Sequence, residues 1–255
     1  MLTKTELKYY SSLLIKKFRN SEGKFLVEGP KLIKEALNAS FPCEIVLASK
    51  AFLDNNSNYF EAFRKKNIRI EIIKTAELKK LSDTKNPQGI TAVFIQRSSA
   101  KINIQTGAIV ALENISDPGN IGTIIRNCDW FGIETVLLSD NCAEVYSPKV
   151  IRASAGSVFH LNVTEEQEFY LRIHELKSKG YKILCADING NNLYELEKTG
   201  KYVMIFANEA NGPTQEILSL ADEKITIPGR GKAESLNVAS ASAVVLSEFT
   251  RKLIR

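Results

Sequence analysis

Apolar positions along this chain recur in two rhythms. In residues 4–20, Leu7, Tyr10, Leu13, Leu14 and Phe18 fall at helical spacing among Lys8, Lys16, Lys17 and Arg19, which predicts an amphipathic helix. A short apolar run at 25–30 then reads as a strand ending in the turn Gly29-Pro30. Helix over 31–39, strand over 44–48, helix over 60–66, strand over 69–73 and strand over 88–96 continue the alternation. A helix over 75–81 is also expected, with Thr75 as its cap. Residues 1–97 therefore read as a small α/β module. Residues 98–107 are polar and poor in bulky groups, and the linker is placed there.

The second part is more apolar and its strands are continuous rather than alternating. Strands are expected at 108–112, 135–138, 158–163, 182–186, 203–206 and 224–227. Helices are expected at 119–131, 148–155, 165–179 (with Phe169, Leu171, Ile173 and Leu176 at roughly helical spacing), near 215–220, and at 236–253. Uninterrupted apolar strands between amphipathic helices predict a parallel sheet covered on both faces. Such sheets bind ligands beyond the carboxyl ends of their strands.

Three polar loops occupy that position. The first is Asn114-Ile115-Ser116-Asp117-Pro118-Gly119-Asn120-Ile121-Gly122, followed by Arg126. The second is Asn208-Glu209-Ala210-Asn211-Gly212, and the third runs from Ile227-Pro228-Gly229-Arg230-Gly231 to Ser235-Leu236-Asn237-Val238. Helix starts leave backbone N–H groups unpaired, so a polar ligand fits such a junction. A cation in the first two turns opposes the helix dipole, which makes phosphate binding a reason for Arg126 to stand there. Glu209 reads either as a surface carboxylate or as an anchor for a neighbouring loop. Gly229 and Gly231 allow close backbone approach, while Ser235 and Asn237 are candidates for capping or ligand contact.

Composition narrows the chemistry. The chain has 255 residues, a net charge of +5, four cysteines and two histidines. Its basic excess lies in residues 1–97, with 18 Lys and Arg against 10 Asp and Glu; residues 98–255 hold 16 against 19. That asymmetry points to a polyanionic partner for the first module. No apolar run is long enough for a membrane span, and the N-terminal segment has no signal-peptide core, so a cytoplasmic protein with reduced thiols is expected. Cysteines without a paired spacing and only two histidines give no metal site. His160 and His174 lie outside any triad pattern, and neither a phosphate loop nor a dinucleotide fingerprint is present. Group transfer from an activated cofactor suits a site so poor in acid–base groups.

Taken together and in order, the three loops resemble the signature motifs of the SpoU (TrmH) family of RNA ribose 2′-O-methyltransferases, in the SPOUT class. The first matches as Asn114-x-x-Asp117-Pro118-x-Asn120-x-Gly122-x-x-x-Arg126, the second as Asn208-Glu209-x-x-Gly212, and the third as Ile227-Pro228-x-x-Gly231-x-x-x-Ser235-Leu236-Asn237-Val238. The match spans 108–255. The first module, with Val27-Glu28-Gly29 and Lys85-Asn86-Pro87-Gln88-Gly89, is similar to the substrate-binding domain of many such enzymes.

The resemblance implies an RNA-binding domain at 1–97, a linker at 98–107 and a methyltransferase domain at 108–255 whose C-terminal segment forms a trefoil knot. Knotted chains are rare exceptions. It implies S-adenosylmethionine held by Ala207, Ile227 and Leu236, with Gly212 and Gly231 shaping the loops. It also implies a homodimer in which Arg126 is the catalytic residue, supported by Asn120, Glu209, Ser235 and Asn237. An arginine is a poor base, so Arg126 is expected to orient the ribose 2′-OH and an adjacent phosphate. Ribosomal RNA is the favoured substrate. Transfer RNA is the rival, and a non-catalytic RNA-binding or ribosome-assembly protein is the reading from another class.

Overall fold

The computed structural model describes residues 2–97, 107–208 and 210–251. Glu209 and, Gly107 apart, the expected linker lie outside the described residues. Contacts divide the chain into two units. Among the described residues the first takes in 2–97 together with Tyr146–Arg152, and the second takes in the remainder. The grouping of Tyr146–Arg152 with the first unit has no counterpart in the linear division expected from sequence.

In the first unit, Thr3 starts α1 (Lys4–Ser12) through a capping box: its hydroxyl accepts from the Glu6 N–H while Glu6 accepts from the Thr3 N–H. The single helix expected over 4–20 is two. The Ser11 and Ser12 hydroxyls turn back to the Lys8 and Tyr9 carbonyls, and Leu13 is fully buried at the break. Arg19 on α2 (Lys16–Glu22) donates to the freed Leu13 carbonyl at 2.7 Å. Next come β1 (Lys24–Glu28), α3 (Pro30–Asn38), β2 (Cys43–Ser49), α4 (Lys50–Asn55), α5 (Glu61–Lys65), β3 (Arg69–Ile73), α6 (Thr75–Leu78) and β4 (Ile90–Ile95). The cap of α6 is Lys74 rather than Thr75, because Glu77 accepts from the Lys74 N–H at 2.8 Å. The four strands run in the order β1-β4-β2-β3, with β4 antiparallel to both its neighbours and β2 parallel to β3. Leu7, Tyr10 and Leu13 pack with Leu26, Ile45, Leu47, Val93 and their neighbours to make one core.

The second unit opens with β5 (Ala108–Glu113), α7 (Pro118–Trp130) and β6 (Thr135–Ser139). α8 (Pro148–Ala153) follows, its residues through Arg152 grouping with the first unit. Then come β7 (Asn162–Glu166), α9 (Phe169–Ser178), β8 (Tyr181–Asn192), β9 (Lys201–Ala207), α10 (Gln215–Leu220), β10 (Glu223–Thr226) and α11 (Val238–Thr250). Their sheet has the order β10-β8-β9-β5-β6-β7 and is parallel at every pairing, as continuous apolar strands predict. At the β10 edge the register shifts between Lys224 and Ile225. A Cβ on Gly190 would lie 2.5 Å from the Ile225 carbonyl carbon, so only glycine fits that crossing.

Two expectations in this unit are corrected. Residues 158–163 are not one strand: a 3-10 turn occupies Ser157–Phe159 after Gly156 at φ 101°, and pairing begins at Asn162. Helix does not begin at 165, because Glu165 and Glu166 continue β7 opposite Leu138 and Ser139. In α9, Phe169, Ile173 and Leu176 are buried while Leu171 is 53% exposed, since it sits off the face that the other three share.

Candidate active site

The three polar loops follow the carboxyl ends of β5, β9 and β10, where the alternation of strand and helix put them. Asp117 caps α7, accepting from the Asn120 N–H at 2.8 Å, with Pro118 at the first helical position. Asn120 is therefore inside the first turn, not at the cap. About 100° of rotation per residue spreads the side chains of α7 into three faces. Ile121, Gly122, Ile124, Ile125 and Cys128 are buried. Asn127 turns toward α11, where its Nδ2 donates to the Ala239 carbonyl at 2.9 Å and to the Ser242 Oγ at 3.0 Å. Thr123, Arg126 and Trp130 form the exposed face.

Asn237 is the cap of α11. Its Oδ1 accepts from the N–H groups of Ala239 and Ser240, and its Nδ2 donates to the Asn120 Oδ1 at 3.0 Å. The structure thus joins Asn120 to Asn237. Ser235 and Arg126 are exposed, and their side chains make no hydrogen bond or ion pair among the described residues. The guanidinium of Arg126 is accordingly available to an anion. Glu209 falls outside the described residues.

The second loop is tied to the first by residues left out of the sequence-based site. Asn114 sits at φ 56°, a backbone conformation that asparagine tolerates, and its carbonyl accepts from the Asn208 Nδ2 at 3.1 Å. Asn208 Oδ1 also accepts from the N–H groups of Ala210 and Asn211, which curls the loop toward Gly212 at φ 65°. On the other side Asn114 donates its N–H to Ser139 Oγ at 2.9 Å and accepts from Asn141 Nδ2 at 3.2 Å. Glu113, fully buried at the end of β5, takes three donors: Tyr170 OH at 3.0 Å, Thr214 Oγ1 at 2.6 Å and the Thr214 N–H at 3.1 Å. Burial, with Glu113 beside it, pushes the Tyr170 hydroxyl up, so it stays a donor. Asn114 and Asn208 stood in the motifs as printed letters; nothing in the chain marked Glu113 as more than the end of an apolar run.

The third loop is open backbone. Residues 228–236 are all exposed and form no hydrogen bond among the described residues. Their main-chain donors and acceptors are therefore available to a polar ligand. A Cβ added at Gly212, Gly229 or Gly231 would meet nothing within 4 Å. Ala207 and Ile227 close the ends of the apolar strands, one buried and one half-buried, and Leu236 presents an apolar side chain that is 49% exposed. Open backbone amides and carbonyls beside an aliphatic side chain suit a nucleoside with a hydrogen-bonding base edge and an apolar face. Among the described residues, no group of three His, Cys, Asp or Glu side chains is placed to hold a metal ion.

A parallel six-stranded sheet with three Asn- and Gly-rich loops at its carboxyl ends and an exposed arginine on the first helix defines an RNA methyltransferase domain of the SPOUT class. Residues 107–247 match the model of the SpoU rRNA Methylase family, and the chain belongs to that family. Residues 4–92 match an MRM3-like substrate binding domain. Among its relatives is the 23S rRNA (guanosine(2553)-2′-O)-methyltransferase RlmP of Bacillus subtilis, 29% identical over 242 residues that cover 94% of each chain. A TrmH-family structure from Porphyromonas gingivalis superposes with a TM-score of 0.88 at 31% identity over 99% of both chains. An AdoMet-bound rRNA methyltransferase from Sinorhizobium meliloti superposes with a TM-score of 0.87 at 27% identity, covering 100% of this chain and 97% of that one.

Proposed function

We propose that this protein transfers a methyl group from S-adenosylmethionine to a ribose 2′-OH of ribosomal RNA. The observation that carries the reading is the hydrogen bond from Asn237 to Asn120, which brings the third loop to the turn of α7 preceding Arg126. In this reading the main chain of the third loop, with Ala207, Ile227 and Leu236, holds the cofactor, and Gly212 and Gly231 leave it room. The bound cofactor supplies an activated methyl group on a sulfonium. Arg126 binds an RNA phosphate and aligns the ribose hydroxyl; with its high pKa it does not act as the base. Alignment of this kind contributes most of the rate when the donor is already activated. Asn120 and Asn237 keep the two loops in register, and Glu209 and Ser235 complete the set.

Residues 1–97 are assigned to RNA binding, 98–107 to the linker and 108–255 to transfer. The basic excess of 1–97 and its match to a substrate-binding domain support that division. A trefoil knot formed by the C-terminal segment is part of the same reading, supported by the seating of Asn127 against α11. So are a homodimer and a cytoplasmic location; no described helix is long and apolar enough to cross a membrane. Ribosomal RNA is favoured over transfer RNA because the rRNA enzyme RlmP aligns over 94% of this chain and residues 4–92 match an MRM3-like substrate binding domain.

Labelled methyl transfer to unmodified ribosomal RNA, compared for wild type and Arg126→Ala, tests the proposal. Wild type incorporates label, and Arg126→Ala loses incorporation while titration calorimetry shows cofactor affinity nearly unchanged. Cofactor binding without incorporation by the wild type would favour a binding or assembly protein. Lost cofactor affinity in Arg126→Ala would overturn the role given to Arg126.

A further inference from the structure

Asn120 and Asn127 stand two turns apart on α7, within about 20° of the same face. Both side chains bond to the start of α11. Asn120 Oδ1 accepts from the Asn237 cap at 3.0 Å. Asn127 bonds further along: its Nδ2 donates to the Ala239 carbonyl at 2.9 Å and to Ser242 Oγ at 3.0 Å. That hydroxyl itself donates to the Ala239 carbonyl at 2.8 Å. A carbonyl only accepts, so the amide of Asn127 cannot turn over. Ser242 is fully buried, on the face of α11 that also buries Val238, Ala239, Val245 and Leu246.

An apolar seam would avoid the cost of burying these polar groups. It would also hold α7 less definitely. Residues 239–243 of α11 read Ala-Ser-Ala-Ser-Ala, side chains too short to interlock as ridges in grooves and so to fix a rotation by packing. Directional hydrogen bonds at two points roughly 10 Å apart along α7 fix both its rotation and its tilt. Arg126 precedes Asn127 and leaves the helix about 100° round from it. A turn of about 10° carries a group ~6 Å from the helix axis by about 1 Å. Misplacement of that size costs up to about 10²-fold in rate. Both contacts lie within one chain, so they hold whatever covers the other faces of α7.

We propose that Asn127, acting through Ala239 and Ser242, is a positioning residue for methyl transfer: it sets the rotation of α7 and with it the direction of the Arg126 guanidinium. The inference rests on the role given to Arg126 above.

Asn127→Leu separates positioning from stability. It keeps the branched shape and leaves Ser242 Oγ donating to the Ala239 carbonyl, so no buried group loses its last partner. The urea midpoint should therefore stay near that of wild type. In methyl transfer to unmodified ribosomal RNA, kcat should fall roughly tenfold or more. The RNA KM, and S-adenosylmethionine affinity by titration calorimetry, should change little. Ser242→Thr keeps the hydroxyl that Ser242→Val lacks at equal volume, and the threonine variant should be the more active. A crystal structure of Asn127→Leu should show α7 turned against α11. Wild-type kcat in Asn127→Leu would overturn the proposal. A loss of kcat matched by losses of cofactor affinity and of urea midpoint would overturn it too, since it marks a general weakening. Should the wild type transfer no methyl group, the reading of the enzyme fails. The variant structure then decides alone, and α7 in its wild-type setting would exclude Asn127 as the residue that holds it.

Discussion

Asn237 and Asn120 are 117 residues apart in sequence and joined side chain to side chain at 3.0 Å. The amide of Asn237 has no freedom to turn over. Its Oδ1 caps α11 by accepting from Ala239 and Ser240, so its Nδ2 is the end that faces Asn120. One residue therefore starts the last helix and sets the distance between the first and third loops.

Separating these two duties gives a first test. Asn237→Asp keeps the cap but places an acceptor against the Asn120 oxygen, whereas Asn237→Ala removes both interactions and costs about 1 kcal/mol for the cap. Titration calorimetry should show weaker S-adenosylmethionine binding in both variants. Urea unfolding should show the loss of cap stability in the alanine variant only. Equal cofactor affinity in all three proteins would show that the bridge does not shape the pocket.

Glu113 anchors the second loop from below. A glutamine in its place keeps the shape but offers one oxygen where three donors converge, and its NH₂ must face one of them. A buried donor left unpaired costs about 1–3 kcal/mol, so Glu113→Gln should lower unfolding stability by roughly 2–3 kcal/mol. Thr214→Val removes only a hydroxyl donor and should cost less. A glutamine variant as stable as wild type in urea would exclude Glu113 as the anchor.

The start of the chain titrates. The Thr3 N–H, and after it Arg69, hold the Glu6 carboxyl down from its ordinary value of 4.5 to about 2. A depressed carboxylate stabilises the fold above its unfolded pKa, and that stability is lost as pH falls through the folded value. The contribution of Glu6 should thus be complete above about pH 4.5 and gone near pH 2. Unfolding curves of wild type and Glu6→Gln should differ at pH 7 and converge across that window. Parallel curves at every pH would remove Glu6 from the account.

All four cysteines are free, and burial raises each of them: Cys43 and Cys185 are pushed up to about 12, and Cys128 and Cys142 are raised as well. The thiolate is the reactive form, so alkylation of the native protein at neutral pH should be slow. Unfolding in denaturant should release four fast-reacting thiols. A single fast thiol in the folded protein would mark a site more open than these positions show.

Periodicity was sufficient for the parallel sheet and for most helices, because burial on both faces leaves a continuous apolar strand that no loop imitates. It misplaced elements where local hydrogen bonds compete with it. The helix expected over 4–20 breaks at Leu13 because serine hydroxyls return to the backbone. The strand expected over 158–163 gives way to a turn after Gly156. Register escaped it as well: Glu165 and Glu166 look like the start of a helix until β6 is there to pair with them.

What the sequence by itself determined is the class of the protein: three motifs in order, strands that must be covered on both faces, and a basic first module. Local chemistry is enough for this, since caps, turns and apolar runs act over a few residues. Only the tertiary structure decided which motif residues meet. It turned Asn120 toward Asn237, gave Asn208 the carbonyl of Asn114, and placed Glu113 under Thr214. Those pairings depend on where distant strands end in one sheet, and no spacing along a chain records that distance.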